Sequence, residues 1–324
     1  MKKRSYIGIL GSGKIALEYS KILKEYKREI YACSSSSPKS KSWLKFKETN
    51  RKTKYMTNDE ILKCKKCTHI ISCLPYFIQE KLFKKLISSD KKILIEKPFG
   101  FSSFKYKLLI SKHRNKLKNK YLAFNRRYYS TVNTLLKIIK SRKIKFVEIK
   151  ISENFDKKTF KKNKLFKKYL PYYGSSSHII DLIFFLFKKF NIVKKYNFND
   201  NDEYFKSVFV ILKTYKNFPI FLNIQKNLPL KNGITVYLCN NSIYSLTPIE
   251  KLVCYKGYKI RGETFKKKYL KYQQNKVYEI DEKGKYRPGI EKSVIKFVTN
   301  KKDKTNFKDY YNYLLFYEKL FKIK

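Results

Sequence analysis

The sequence predicts two domains: an α/β domain with a parallel sheet over residues 1–124, and an α+β domain with a largely antiparallel open sheet over residues 125–324. Three observations predict this fold class. Short apolar runs alternate with helical patterns in the first third of the chain, which is typical of parallel strands joined by right-handed crossovers. Strand-like runs separated by turn signals dominate from residue 143 onward. A chain of 324 residues is also long enough for two hydrophobic cores.

A glycine turn follows the first predicted strand. After Tyr6-Ile-Gly-Ile-Leu the chain continues Gly11-Ser12-Gly13, and a helical pattern covers residues 14–26. Gly11 can make the tight turn, and Gly13 lets backbone N–H groups approach a pyrophosphate at the start of the helix. Ala16 takes the third position of this fingerprint, where a small residue is sufficient. The pattern predicts a Rossmann dinucleotide-binding domain whose cofactor contacts include Gly11, Ser12, Gly13, Lys14 and Ile15.

The second strand, predicted over residues 29–33, ends without a carboxylate. An acidic residue near this position binds the ribose hydroxyls of NAD. The chain instead has four serines over residues 34–37, followed by Lys39 and Lys41. These side chains can hold a 2′-phosphate, so the sequence favours NADP over NAD and assigns Ser35 and Ser36 to the cofactor. A polar loop without a ligand is the alternative.

Four further elements continue the alternation: a helix over residues 58–63 capped by Asn58, a buried strand over 68–73, a helix over 77–88 and a strand over 92–95. Leu74-Pro75 ends one of these strands, and Glu96-Lys97-Pro98 ends the other. Ligands of parallel sheets bind beyond the carboxyl ends of the strands. We therefore expect these two segments and the glycine turn to line one crevice.

Together these motifs resemble the Gfo/Idh/MocA oxidoreductases, the family of glucose–fructose oxidoreductase and inositol dehydrogenase. Glu96-Lys97-Pro98 after a strand is the most specific mark. The segment Ala-Phe-Asn-Arg-Arg-Tyr over residues 123–128 resembles the exit from the cofactor domain, and His178-Ile-Ile-Asp181 resembles a His-x-x-Asp motif of the second domain. The resemblance implies an NAD(P)-dependent oxidoreductase that acts on a hydroxyl or carbonyl group of a sugar or nucleotide-sugar. It also implies a cis peptide before Pro98 and a homo-oligomer, dimer or tetramer, formed through the C-terminal sheet.

Hydride transfer at a sugar carbon requires a proton to move on the attached oxygen, so a general acid/base must reach that oxygen. Lys97 is the first candidate, as a proton relay. His178, one of three histidines, is the second, and Asp181 lies three residues on, where it could orient the ring. The expected cofactor site also includes Leu74, Pro75, Gln79, Glu96, Lys97, Asn125 and Arg126, and the expected substrate site consists of Lys97, Tyr128, His178 and Asp181.

Two positions depart from the family pattern. Gly174 stands four residues before His178, where family dehydrogenases often carry an aspartate, and Gln79 stands where many relatives have a histidine. Lys97 and His178 could suffice for proton transfer, or a nearby tyrosine could substitute (Tyr128, Tyr129, Tyr172 or Tyr173). The alternative is a family member that binds the cofactor with weak or no dehydrogenase activity.

The second domain is predicted from strand-like runs at 144–151, 206–213, 219–225, 234–238 and 242–246, helices at 290–298 and 307–321, and a lysine-rich loop at 157–168. The net charge of +51 would fit a nucleic-acid partner, because basic faces neutralise phosphates. However, only nine of the 76 basic residues are arginine, the residue that base and phosphate recognition favours. The lysines are spread through every segment, so we expect no nucleic-acid partner, but a surface field that attracts anionic substrates.

Six cysteines include a single C-x-x-C, Cys64 to Cys67, without the second pair that a zinc site needs. We therefore predict no metal and reduced thiols in a cytoplasmic protein. The longest later apolar stretch, residues 179–187, is interrupted by Asp181 and is too short to span a bilayer, so no membrane partner is expected.

Overall fold

The fold is that of a computed structural model, which describes residues 6–99, 102–153, 175–198, 207–229, 231–261, 271–299 and 307–321. The chain divides into two compact units. The first contains Met1–Asn125 and Lys285–Lys319, and the second contains Arg126–Gly284. The predicted loop at 157–168 lies outside the described residues, as do Tyr172, Tyr173 and Gly174.

The first unit contains a six-stranded parallel sheet. Its strands are β1 (Tyr6–Leu10), β2 (Ile30–Cys33), β3 (Lys54–Tyr55), β4 (Cys67–Ser72), β5 (Lys92–Ile95) and β6 (Lys120–Leu122). They lie in the order β3-β2-β1-β4-β5-β6, and every neighbouring pair is parallel. The direction of strand addition reverses between β1 and β4, and the crevice at such a switch point is where parallel sheets bind ligands. The predicted Rossmann sheet is confirmed.

Helices alternate with the strands of this sheet along the chain. They are α1 (Lys14–Glu25), α2 (Lys41–Thr49), α3 (Asn58–Lys63), α4 (Tyr76–Ser88) and α5 (Ser103–Lys112), with a 3-10 helix at Arg114–Asn119. Thr57, and not Asn58, caps α3. The Thr57 hydroxyl accepts a hydrogen bond from the Glu60 N–H at 3.3 Å, and the Glu60 carboxylate accepts one from the Thr57 N–H at 2.6 Å. The correction follows from this reciprocal pair, a capping box that begins one residue earlier.

The second unit contains an eight-stranded open sheet. Its strands are β7 (Ile144–Glu153), β8 (Phe190–Asn197), β9 (Val208–Thr214), β10 (Pro219–Lys226), β11 (Gly233–Leu238), β12 (Ser242–Leu246), β13 (Lys251–Arg261) and β14 (Lys271–Asp281). Their order is β14-β13-β12-β11-β7-β10-β9-β8, and only β7 and β10 pair in parallel. A 3-10 helix at Asn125–Tyr128 precedes α6 (Ser130–Ser141), and α7 (Ser175–Phe187) contacts β7. The predicted, largely antiparallel sheet is confirmed.

Alternate residues of this sheet are buried, which leaves a row of aromatic side chains on the partly exposed face. The rings of Phe146 and Tyr237 stack at 4.1 Å between centroids. Phe221, Phe209 and Tyr196 continue the row across β10, β9 and β8, with neighbouring centroids 6.0–6.5 Å apart. Subunit contacts through this sheet remain a prediction, which light scattering of the purified protein would test. A monomer would contradict it.

Two further helices, α8 (Ile290–Val298) and α9 (Phe307–Phe321), occupy the residues that the sequence predicts for them. Although the predicted division places them in the second domain, residues 285–319 belong to the first unit. Val294 and Phe297 of α8 are fully buried in the core that β1 and α1 form. In α9, the Phe307 ring lies against Tyr106, whose hydroxyl donates to the Phe307 carbonyl at 2.6 Å. These contacts pack α8 and the start of α9 against the first unit. Within the described residues, no helix has both the length and the apolar character needed to cross a bilayer.

Lys120, the first residue of β6, is a buried cation. Its side chain is 2 % exposed, and its ammonium donates to the carbonyls of Ser89 at 2.6 Å and Lys91 at 2.8 Å. Burial lowers the pKa of Lys120 to about 8, although Asp90 opposes the shift. The folded protein therefore loses this proton at a lower pH than the unfolded chain does.

This difference predicts an alkaline gain in stability. An unfolded lysine has a pKa of about 10.4, so between about pH 8 and pH 10 the unfolded chain binds the extra proton and the free energy of unfolding rises with pH. The contribution of Lys120 to this rise is about 3 kcal/mol. Urea unfolding across this window should show the rise in the wild type and a smaller one in Lys120→Met. Equal pH dependence in the two proteins would contradict it.

Candidate functional site

The carboxyl ends of four strands of the first unit lie side by side. The Ser34 N–H donates to the Ile9 carbonyl at 2.9 Å, the Cys73 N–H to Leu10 at 2.8 Å, and the Glu96 N–H to Ser72 at 2.9 Å. These bonds extend the strand pairing by one residue beyond the ends of β2, β4 and β5. The glycine turn, the Leu74-Pro75 turn and the Glu96-Lys97-Pro98 segment consequently begin at one edge of the sheet, around the switch point between β1 and β4.

Gly11 makes the tight turn after β1. Its φ is +89°, and a Cβ at this position would lie 3.1 Å from the Cys73 carbonyl oxygen. The Gly11 N–H donates to the Ser34 hydroxyl at 2.9 Å. Both the backbone conformation and the close approach of β4 therefore require glycine here.

Gly13 is the N-cap of α1, and the space around it is open. A Cβ built on Gly13 would meet no atom within 4 Å. No side chain caps the helix, and its first turn has no acidic residue. Exposed Lys14 and half-buried Ile15 begin the helix. Uncapped N–H groups at the positive end of a helix bind anions, so this position fits the pyrophosphate of a dinucleotide.

A cluster of serine hydroxyls lies beside the glycine turn. The Ser12 hydroxyl is 2.8 Å from Ser35 Oγ and 3.0 Å from Ser42 Oγ, and Ser35 Oγ is 2.7 Å from Ser40 Oγ. Ser36 is exposed beside the cluster. Among the described residues, no carboxylate takes part in these hydrogen bonds, which fits the expected acceptance of a 2′-phosphate.

Sequence patterns missed two residues of this region, Ser40 and Ser42, and placed Ser34 only within the serine run. Ser34 connects Gly11 to Asn58, to whose side-chain oxygen it donates at 2.5 Å. Ser40 caps α2 by accepting from the Trp43 N–H, and Ser42 joins the cluster from the first turn of that helix. A serine just before a helical pattern is an N-cap signal and could have located Ser40. Nothing local marks Ser42.

Gln79 holds the turn after β4. Its side-chain amide donates to the Leu74 carbonyl at 2.9 Å, and its N–H donates to the carbonyl of Pro75, the N-cap of α4, at 3.0 Å. Gln79 is 2 % exposed. Among the described residues, its Oε1 and the Ser72 hydroxyl are buried without a hydrogen-bond partner. A buried polar atom without a partner requires an explanation, and a bound group that supplies the partner is one.

Glu96 joins the end of β5 to α1. The Tyr19 hydroxyl donates to its carboxylate at 2.6 Å. Burial raises the pKa of Glu96, and the hydrogen bond from Tyr19 and the neighbouring Lys97 ammonium oppose the shift. Burial and Glu96 together raise the pKa of Tyr19 well above its usual value. The structure thus gives the Glu96 side chain a positioning contact with α1, and its cofactor contact stays a prediction.

Lys97 is half-buried at the same edge, and the peptide bond between Lys97 and Pro98 is cis, as the resemblance predicts. The segment is held from α9, since the Phe99 N–H donates to the Tyr310 hydroxyl at 3.0 Å. Phe99 itself is fully buried against Phe307. A buried anchor two residues away therefore fixes the backbone that carries the Lys97 ammonium.

Asn125, the last residue of the first unit, donates from its side-chain amide to the Pro288 carbonyl at 2.9 Å. This bond holds the segment before α8, and the cofactor contact of Asn125 stays a prediction. In the second unit, Arg126 is half-buried, and its Nη1 has no hydrogen-bond partner among the described residues. This Nη1 atom is therefore available to donate a hydrogen bond to an anion.

Two predicted substrate residues also lie in the second unit. Tyr128 is almost fully buried, and His178 is half-buried on α7.

Asp181 lies in a buried ion pair. Arg127 donates from Nε at 2.9 Å and from Nη2 at 2.5 Å to the two carboxylate oxygens. The exposed fractions of the side chains are 6 % and 2 %, and the guanidinium lies 5.3 Å from the centroid of the Phe185 ring. The substrate contact of Asp181 and its orientation of His178 stay predictions beside this ion pair. The carboxylate pairs with an arginine 54 residues away, and this bond holds α7 against the start of the second unit.

A second carboxylate, which sequence patterns missed, positions the start of α7. Glu153, the buried last residue of β7, accepts a hydrogen bond from the Ser176 N–H. A carboxylate at a helix N-terminus complements the helix dipole. Within the described part of the chain, no three His, Cys, Asp or Glu side chains form a group that could hold a metal ion.

Comparison with solved structures gives the same architecture over nearly the whole chain. UDP-N-acetylglucosamine 3-dehydrogenase GnnA from Acidithiobacillus ferrooxidans has a TM-score of 0.72 at 10 % identity, over 98 % of this chain and 97 % of that one. A dehydrogenase from Chromobacterium violaceum has a TM-score of 0.76 at 11 % identity, over 98 % and 94 %. An oxidoreductase from Thermotoga maritima has a TM-score of 0.73 at 15 % identity, over 97 % and 95 %.

No protein-family sequence model matches the chain, and comparison with curated protein sequences finds no match either. The similarity is therefore one of structure, with most side chains replaced. These similar structures are named as dehydrogenases or as an oxidoreductase. The chain thus has the two-part fold of the Gfo/Idh/MocA oxidoreductases, as its motifs predict.

Proposed function

We propose that the chain is an NAD(P)-dependent oxidoreductase that acts on a hydroxyl or carbonyl group of a sugar or nucleotide-sugar. One observation carries the proposal: the open, uncapped N-terminus of α1 at Gly13 lies at the switch point of a parallel sheet, at the same sheet edge as Lys97. The first feature fits a dinucleotide, and the second supplies a group that can move a proton.

The cofactor would be held by residues of the first unit. Gly11, Ser12, Gly13, Lys14 and Ile15 would contact its pyrophosphate, and the turn held by Gln79 would border its other half. When bound, the nicotinamide supplies the hydride acceptor or donor. Ser35 and Ser36, with exposed Lys39 and Lys41 nearby, favour NADP, because hydroxyl and ammonium groups can hold a 2′-phosphate that a carboxylate would repel.

Lys97 is proposed to exchange a proton with the reacting oxygen of the substrate. Its ammonium donates that proton in reduction and, once neutral, accepts it in oxidation. Burial next to an apolar anchor limits the positions that Nζ can take. His178 as an assisting group and Tyr128 as a substrate contact rest on the family resemblance alone.

The proposed substrate class rests on one similar structure and on two features of this chain. Among the similar structures, the GnnA protein is a UDP-N-acetylglucosamine 3-dehydrogenase, whose substrate carries two phosphates. Arg126 offers a guanidinium nitrogen without a partner among the described residues, and the net charge of +51 creates a field that attracts anions. A nucleotide-sugar fits both features better than an uncharged sugar does.

The proposal is tested first by cofactor binding and then by turnover. Fluorescence titration with NADPH and NADH, at physiological salt to suppress nonspecific attraction, should give saturable binding that is tighter for NADPH. A panel of sugars and nucleotide-sugars should then reveal one that changes NADPH absorbance. Absence of binding would contradict the proposed function. Binding without any substrate would favour the cofactor-binding alternative, and tighter NADH binding would contradict the preference for NADP.

Gly13→Asp should separate cofactor binding from stability. Aspartate is a favourable N-cap, so it should leave the melting temperature unchanged or raise it. Its carboxylate would occupy the N–H groups that a pyrophosphate needs and repel the phosphates, so we expect NADPH affinity to fall by about 100-fold, about 2.7 kcal/mol. Gly13→Asn, the uncharged cap of the same size, is the matched control and should lose less affinity. Unchanged affinity in Gly13→Asp would place the dinucleotide elsewhere.

A further inference from the structure

Two cysteines lie at the amino ends of the strands of the first sheet, opposite to the carboxyl ends that form the candidate site. Cys67 is the first residue of β4, whose last residue faces the site, and Cys64 directly follows α3. Their C-x-x-C spacing has no part in the proposed oxidoreductase chemistry. The structure shows how the two side chains are arranged.

A tight turn brings the two residues together. The Cys67 N–H donates to the Cys64 carbonyl at 3.2 Å, and the Lys91 ammonium donates to the carbonyls of Cys64 at 2.5 Å and Cys67 at 2.7 Å. The two thiols are close enough for each to shift the pKa of the other. The ends of such a turn lie within about 7 Å between Cα atoms, which overlaps the range of about 4.4–6.8 Å found in disulfides. The turn is thus suited to a disulfide between its ends.

The two thiols differ in access and acidity. Cys64 is half-buried, whereas Cys67 is fully buried beneath β1, where a Cβ added to Gly8 would come within 3.2 Å of its sulfur. Burial alone would raise the pKa of Cys64, but the N–H groups of Cys67 and Lys66, the Cys67 thiol and the Lys91 ammonium outweigh it and lower that pKa. Burial, together with Cys64, raises the pKa of Cys67 to about 12. One thiol is therefore reactive and reachable, and the other is enclosed beside it.

We propose that Cys64 and Cys67 form a redox-active dithiol that reduces a small-molecule disulfide and becomes an intramolecular disulfide itself. The Cys64 thiolate attacks one sulfur of the disulfide, and the first half of that molecule leaves as a thiolate. Cys67 then gives its proton to a departing thiolate and attacks the Cys64 sulfur, and the second half leaves. Two protein thiols are oxidised, and one disulfide is reduced to two thiols.

The experiment uses the full chain in buffers of reduced and oxidised glutathione at neutral pH. After an acid quench, free thiols are alkylated and the protein is digested with trypsin. Cleavage after Lys65 and Lys66 separates the two cysteines, so only a disulfide keeps their peptides joined. Cys73 lies in the same tryptic peptide as Cys67 but at the other end of β4, and fragmentation distinguishes the two. We expect the Cys64–Cys67 linked peptide to accumulate as oxidised glutathione increases.

Matched variants isolate the pair. Cys64→Ser and Cys67→Ser should abolish the linked peptide, whereas Cys239→Ser, which removes an exposed cysteine of the second unit, should leave it unchanged. In the reduced native protein, Cys64 should react with iodoacetamide about tenfold or more faster than Cys67. Two free thiols at every buffer ratio would overturn the proposal. A glutathione adduct that persists on Cys64 would also overturn it, because Cys67 would then not resolve the mixed disulfide.

Discussion

Lys97→Met is expected to lower kcat for hydride transfer by about 10²–10⁴-fold, the usual range for a lost general acid/base. Methionine keeps an unbranched apolar side chain, so the cis segment anchored through Phe99 and Tyr310 should persist. The dissociation constant for NADPH should change little, because the pyrophosphate contacts belong to the glycine turn. The measurement is kcat with the substrate found in the panel, together with NADPH titration of the same preparation.

A pH profile distinguishes proton transfer from mere positioning. If Lys97 exchanges the proton, the limb of the kcat/KM profile that reports its titration should disappear in Lys97→Met. Lys84→Met is a suitable control, since Lys84 is an exposed lysine of α4 in the same unit. Unchanged kcat in Lys97→Met would remove Lys97 from the mechanism while leaving the cofactor proposal intact.

Arg127→Met is expected to destabilise the protein by about 3–5 kcal/mol, because it leaves the buried Asp181 carboxylate without its bidentate partner. The charge cannot reach water, and the aliphatic replacement donates no hydrogen bond. Urea unfolding followed by circular dichroism measures the loss. Arg142→Met, which removes an exposed arginine of the same unit, should cost little.

The double variant decides whether the unpaired charge causes the loss. Asp181→Asn in the Arg127→Met background removes the buried charge and should restore a large part of the lost stability. If Arg127→Met alone left the free energy of unfolding unchanged, the pair would have no role in holding α7. A loss that Asp181→Asn did not relieve would instead assign the effect to lost packing of the guanidinium on Phe185.

Where local signals are strong, the sequence predicts the structure closely. The glycine turn, the strand ends at Leu74-Pro75 and Glu96-Lys97-Pro98, and the helices at 290–298 and 307–321 lie where their patterns place them. In contrast, β8, β13 and β14 were not predicted. Most residues of β14 and of the second half of β13 are exposed, so these strands lack the alternation of apolar and polar residues that reveals a half-buried strand.

The candidate site was predictable in its backbone but not in its side-chain partners. Glycines and strand ends are marked locally, and the rule for parallel sheets brings them to one edge. The hydroxyl cluster of Ser12, Ser35, Ser40 and Ser42 combines three separate segments. Tyr19 with Glu96 and Arg127 with Asp181 pair across 77 and 54 residues. No local pattern specifies such partners.

By itself, the sequence determined the fold class, the positions of β1, β2, β4 and β5 with three of the helices between them, and the edge of the sheet at which their terminal motifs meet. These features follow from local periodicity, glycine and the handedness of crossover connections, which operate over a few tens of residues. Only the tertiary structure decided that residues 285–319 join the first unit, that Asp181 is half of a buried ion pair, and that Cys64 and Cys67 share one turn. These outcomes depend on which distant surfaces of the chain pack together. A short sequence pattern does not distinguish between possible packing partners, whereas close packing of the folded chain does.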